Sequence, residues 1–362
     1  MNILYILGNG FDKAQGMATS YPEFYDYLME NSDNCSNMMQ LLKEGIKKDK
    51  ELWSDMEVAF GHLTFKIKSA EDLDELYFEL NEYLQEYLKS EENKFIPTTN
   101  LKTKFSNDFL VPSKNLEPLD KQRFLSYANT LQKGKEIYVM TLNYTNTLEK
   151  LLSLNENSYS KNFNNTDILR DIIHLHGRLN DSIIIGVDNE TQIDNMDFRS
   201  NQNVRDLLIK EESNVAMKEI RHITSKSYID KANIIILYGV SLGKTDERWW
   251  KLIGDNFKSR KNLVIIQHLF EPGFMKPTQK QKIGRLERKQ KQEIMKIMNL
   301  RDNEQTEEMV NLCQERGIYM SGGSDYHGKA KPDVAIAVGH GNLNIKDEIL
   351  EPWKDKLTYY KR

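Results

Sequence analysis

The chain opens on an unbroken apolar run, residues 3–7, that stops at Gly8-Asn9-Gly10. Polar and apolar positions do not alternate in it, so it predicts a strand buried on both faces at the centre of a parallel sheet. Residues 137–142, residues 234–238 and the run NLVIIQHL from Asn262 have the same character. The first three runs end in small or polar residues: Gly8-Asn9-Gly10, Asn143-Tyr144-Thr145-Asn146 and Gly239-Val240-Ser241-Leu242-Gly243. Helical spacing follows each. Recurrent strand, turn and helix units predict an α/β fold with a parallel sheet covered on both faces. DIIHLHGRL (171–179) and SIIIGVD (182–188) read as two more short strands close together, on which His174 and His176 would face the same side.

Helical spacing fills residues 34–131, where Leu73, Leu76, Leu80, Tyr83, Leu84 and Tyr87 mark one face, and predicts a helical insertion or cap. Within it, residues 96–118 are rich in Thr, Asn, Ser and Pro and predict a loop. The first helix is expected near Pro22, with Ser20 as cap and Glu23 in its first turn. Residues 201–231 read as helical and charged. Thr245-Asp246-Glu247 reads as the capped start of an amphipathic helix, and Thr145 or Asn146 can cap the helix that begins in TLEKLLSL.

Composition narrows the class. With 362 residues, 29% charged and a net charge of −4, the chain is neither a bulk nucleic-acid binder nor disordered. Cys35 and Cys313 match no metal or redox spacing, which fits a reducing compartment. No apolar run approaches the ~20 residues that span a bilayer, so a cytoplasmic protein without membrane contact is expected.

Ligands of parallel sheets gather at the carboxyl ends of the strands, which directs attention to the turns. Gly8 and Gly10 let the backbone turn tightly and bring bare N–H groups near a diphosphate. The three-glycine dinucleotide fingerprint is not met, because Gly16 comes six residues after Gly10, so an ordinary tight turn stays open. Asn143 can donate and accept at once, and a neutral His176 can accept a hydroxyl proton beside the space that Gly177 leaves. A structural histidine is the bland reading. Asp12 and Tyr21 are further candidates, against a turn-stabilising Asp and a packing Tyr.

Taken together and in order, LGNGFDKAQGMATSYPEFYDYL, TLNYTNTLE, HLHG and YGVSLGKTDERWW resemble the AbiH family of bacterial abortive-infection proteins over most of residues 1–270. That family is in turn similar to the sirtuin-type NAD-binding fold, which implies a Rossmann-like (sirtuin-like) α/β core. Under the resemblance Asn143 and His176 are the catalytic pair, the histidine acting on the nicotinamide ribose. Gly8, Asn9 and Gly10 meet the diphosphate of NAD, and Gly239 and Ser241 sit by the adenosine. Asp12, Tyr21, Thr141, Tyr144 and Asp246 complete the expected cofactor-binding set. Thr145 stands where sirtuins carry Asp, and no Cys-x-x-Cys pairs supply a zinc module, so NAD hydrolysis is implied and protein deacylation disfavoured. The expected partners are a nucleotide, a phage-derived trigger and a second copy of the chain. The rival reading is a nucleotide-binding sensor without catalysis that acts through the helical insertion.

The tail differs. Residues 276–301 carry nine Lys and Arg against two Glu, with Ile283, Leu286, Ile294 and Ile297 on one helix face. They predict a basic helical linker over 271–302, and the absence of aromatic residues that could stack bases argues against nucleic acid. Residues 303–362 resemble the closing segment of PHP-type metal phosphoesterases, in which Asp325 and His327 match metal ligands. The usual early HxH is missing, so a fusion remnant without metal is expected. The third reading, a metal-dependent phosphoesterase, would complete its site with His174 and His176.

Overall fold

A computed structural model describes residues 1–131, 133–154, 159–268, 280–298 and 300. They hold the strands β1 (Asn2–Leu7), β2 (Lys135–Thr141), β3 (Lys161–Asn162), β4 (Asp167–His174), β5 (Ile234–Tyr238) and β6 (Val264–His268). Seven helices separate β1 from β2: α1 (Gly10–Ala14), α2 (Tyr21–Asn31), α3 (Asn37–Lys48), α4 (Met56–Leu63), α5 (Ala70–Lys94), α6 (Thr99–Phe109) and α7 (Pro118–Ala128). Helix α8 (Thr147–Leu152) follows β2, and α9 (Met196–Ser200), α10 (Gln202–Leu208), α11 (Lys210–Ala216) and α12 (Arg221–Lys231) lie between β4 and β5. Helix α13 (Glu247–Ser259) joins β5 to β6, and α14 (Lys280–Ile297) comes after β6.

The strands form one sheet in the order β3-β4-β2-β1-β5-β6, parallel throughout except for the short antiparallel β3. β1 is central, as its unbroken apolar run requires. Its side chains alternate between two buried faces. Ile3, Tyr5 and Leu7 pack with Phe109 of α6, Phe124 of α7 and Leu148 of α8, while Leu4 and Ile6 pack with Ile229 of α12 and Trp250 of α13. Each fully buried Ile or Leu on this strand contributes about 1.5–3 kcal/mol, which leaves no face on which a polar residue would be tolerated. A third cluster joins α2 to α5 with residues 183–209.

The structure corrects four expectations. The first helix is α1, which starts at Gly10; the helix expected near Pro22 is the second, with Glu23 bonding back to the Ser20 amide at 2.9 Å. Residues 96–118 contain α6, because Leu101, Phe105 and Phe109 recur at four-residue spacing toward the sheet and Thr98 caps the Leu101 amide. SIIIGVD is not a strand and makes only single bridges, Gly177 to Ile183 and Val187 to Ile209. Side chains serve its backbone instead: Asn81 donates to Ile183 O, Tyr144 to Ile184 O, and the Ile185 amide donates to Tyr77. Finally, β4 ends at His174, so His176 lies in the turn beyond it, and the two histidines have different partners, Glu149 and Asp246.

The end of α14 docks on α13, where Met298 is fully buried and a Cβ on Gly254 would lie 2.0 Å from Met298 O. Among the described residues no helix is long and apolar enough to cross a membrane. The PHP-like segment, with Asp325, His327 and Cys313, lies outside the described residues.

Candidate functional site

Register sets the site. Leu7 pairs with both Thr141 and Tyr238, and Thr141 pairs with His174, so Gly8, Leu142, Leu175 and Gly239 leave the sheet at one level. The chain runs outward from β1 through β2 to β4, then returns to β5 on the other side of β1 and continues to β6. The order therefore reverses between β1 and β5. In parallel sheets such a reversal opens a crevice beyond the strand ends, because successive crossovers diverge there.

Two glycine turns meet at that point. A Cβ on Gly8 would stand 2.5 Å from Gly239 O, one on Gly10 2.6 Å from the Gly239 Cα, and one on Gly239 2.4 Å from the Phe11 amide. Gly239 also sits at φ +65°, a conformation that side chains resist. The Gly10 amide, expected to be bare, donates to Gly239 O at 2.9 Å, and the Phe11 amide to Gly8 O at 2.8 Å. These glycines thus serve backbone contact between the loops. Asn9 is exposed beside them, paired with Thr19 through its side chain.

Asn143 reaches the first turn: its amide donates to Gly8 O at 3.1 Å, and its backbone N–H is held by Thr141 Oγ1. Beside it Asp12 is buried, accepting from Thr145 Oγ1 at 2.5 Å, while Thr147 donates to Thr145. Burial pushes the Asp12 carboxyl up to about 6 against the pull of Thr145, Thr147 and Asn143. Neither Thr145 nor Asn146 caps α8; Asn146 instead bonds Glu92 of α5. His174 lies under this corner, bridging Asn143 O at 2.9 Å and Glu149 at 2.8 Å. Burial works against its charge, but Glu149 and that carbonyl outweigh it and raise its pKa.

His176 belongs to the other half. Its Nε2 is 2.9 Å from Asp246 Oδ1, yet neither ring nitrogen makes an aligned hydrogen bond among the described residues, and the side chain is 5% exposed. Asp246, expected to cap α13, turns away from the helix toward His176 and Lys210. Lys210, buried at the start of α11, donates to Glu57 at 2.8 Å, to Asp246 at 3.0 Å and to Thr245 O at 3.0 Å. Burial alone would push Asp246 up, but Lys210 and His176 hold it well below the usual carboxylate range. Burial and the neighbouring Asp246 push Glu57 up despite Lys210. The ionised pair is therefore Lys210 with Asp246, and His176 adjoins that pair through Asp246 Oδ1. Tyr144 is buried with its hydroxyl on Ile184 O, and Tyr21 lies partly buried near Glu57 and Tyr144. Ser241 is exposed at the rim of the second turn.

The structure thus brings Gly8, Gly10, Gly239, Asn143, Thr141 and Asp12 together at one end of the sheet, and groups His176 and Asp246 with Lys210 and Glu57, near which Tyr144 and Tyr21 lie. His174 and His176 pair with different carboxylates, Glu149 and Asp246. Glu57 and Lys210 escaped sequence reading, since nothing local marks a lysine or glutamate that will be buried. Among the described residues no three His, Cys, Asp or Glu side chains are grouped to hold a metal ion.

No curated protein matches the chain. The family model described as bacteriophage abortive infection AbiH matches residues 4–268, a span that holds β1 to β6, both glycine turns, Asn143, His176 and the Lys210 cluster. The geometry described above is therefore the core of a family fold, and the chain belongs to the AbiH family of bacteriophage abortive infection proteins.

Proposed function

We propose that this abortive-infection protein binds NAD or a related dinucleotide across the crevice between β1 and β5 and hydrolyses its nicotinamide–ribose bond when infection is sensed. The observation that carries the reading is His176: a buried imidazole whose Nε2 lies 2.9 Å from the ionised Asp246 and whose Nδ1 has no hydrogen-bond partner among the described residues. Buried polar atoms are nearly always paired, so a free imidazole nitrogen just beyond a strand end favours a group kept for a ligand. Cleaving the bond develops positive charge on the ribose, so in this reading the site must hold the ribose hydroxyls and exclude competing solvent. In this reading His176 accepts from a ribose hydroxyl, Asn143 holds a water or a ribose hydroxyl, and the exposed Asn9 and Ser241 meet the diphosphate and adenosine. A phage-derived trigger and self-association belong to the same proposal.

A second reading, a nucleotide sensor without turnover, is favoured by one fact: the Gly10 amide and the Asn143 amide are both committed to backbone carbonyls. Purified full chain incubated with NAD separates the two. Hydrolysis releases nicotinamide and ADP-ribose, and His176→Ala lowers the rate by about 10²–10⁴-fold with NAD affinity largely kept. Saturable NAD binding without products supports the sensor, and no binding at millimolar NAD rejects both.

A further inference from the structure

We infer that Asp12 is a catalytic carboxylate of this site, the group whose Oδ1 takes the proton of the attacking water; the inference rests on the hydrolytic reading above. Asp12 is 1% exposed, in the only turn-and-a-half of α1, directly after the glycine turn. Its Oδ2 is held by a chain of hydroxyls, Thr147 to Thr145 to the carboxylate, at 3.0 and 2.5 Å. Its Oδ1 has no hydrogen-bond partner among the described residues. A fold that needed only an acceptor for Thr145 would be served by Asn or Ser at this position. Burying a whole carboxyl and pairing one oxygen incurs desolvation that the fold does not recover.

The surroundings suit a base. Asn143, anchored on Gly8 O at the strand ends, borders the carboxyl. Besides the two threonines and Asn143, the charged group acting on Asp12 is Glu92 of α5, which is itself 3.4 Å from Lys150 of α8. With burial pushing it to about 6, the carboxyl is ionised at neutral pH yet basic enough to accept a proton there. In the step, the water oxygen bonds to ribose C1′ and the C1′–nitrogen bond breaks. The electron pair of that bond goes to the nicotinamide ring, which loses its positive charge, and the water proton goes to Asp12 Oδ1.

The test compares wild-type full chain with Asp12→Asn, which keeps the shape and the Thr145 bond and removes the base. Three quantities are read: the NAD dissociation constant, NAD turnover, and the melting temperature at pH 8. The expected result is affinity within threefold of wild type, turnover lowered a hundredfold or more, and a melting temperature equal to or above wild type. Turnover within threefold of wild type, loss of NAD binding along with turnover, or a lower melting temperature at pH 8 each overturns the inference. The failures are distinguishable: a wild type that does not turn over NAD removes the hydrolytic reading and the Asp12 role with it, whereas equal turnover by both proteins removes the Asp12 role alone.

Discussion

At the scale of single residues, the site is defined by groups held in ways that oppose stability. Gly239 sits at φ +65° with its Cα against Gly10, so a methyl group has no room and the backbone would resist it. Gly239→Ala is expected to destabilise the chain by about 2–4 kcal/mol, measured by denaturant unfolding. Asp12 makes the opposite prediction. Its folded pKa, about 6, lies above the ordinary 3.8, so its favourable contribution is full below 3.8 and is lost as pH rises through 6. Relative to Asp12→Asn, the wild type therefore gives up about 3 kcal/mol at pH 8 and almost nothing at pH 4. Thermal melts of both proteins across that range should diverge as pH rises. Parallel curves would mean that the carboxyl is not strained.

At the scale of elements, two kinds of information separate. The central strands were legible because burial on both faces leaves an unbroken apolar signature, as in residues 3–7 and 234–238. SIIIGVD carries the same signature and is not a strand, because Asn81, Tyr77 and Tyr144 take over its backbone groups and its side chains enter the helical cluster. Segment 96–118 hid a helix, since its Thr and Asn content outweighed the spacing of Leu101, Phe105 and Phe109. The turns at Gly8, Asn143 and Gly239 were legible as neighbours from their position at strand ends, whereas the commitment of the Gly10 amide to Gly239 O was not. The Glu57–Lys210–Asp246 cluster was not, because it joins α4, α11 and the loop after β5 only in three dimensions. Removing its cation leaves Glu57 without a partner and Asp246 with His176 alone. Lys210→Met should therefore cost about 3–5 kcal/mol, with the double variant Lys210→Met, Glu57→Gln recovering part of it in the same unfolding experiment. Full stability in the single variant would contradict the cluster as drawn.

At the scale of the whole molecule, the sheet gathers the family's strand-end segments into one place. The helices between β1 and β2 divide their work. Helices α6 and α7 cover the sheet, whereas α2 to α5 build a separate core that reaches the site through Glu57 on α4. A change in how that core sits would be felt at Asp246 and His176 by way of Lys210. The measurement that bears most directly on the account is mass spectrometry of NAD, nicotinamide and ADP-ribose in phage-challenged cells expressing the wild-type chain or His176→Ala. The account predicts that NAD falls while nicotinamide and ADP-ribose rise with the wild type and that none of the three changes with His176→Ala. Unchanged NAD with the wild type, or equal depletion by both proteins, would contradict it.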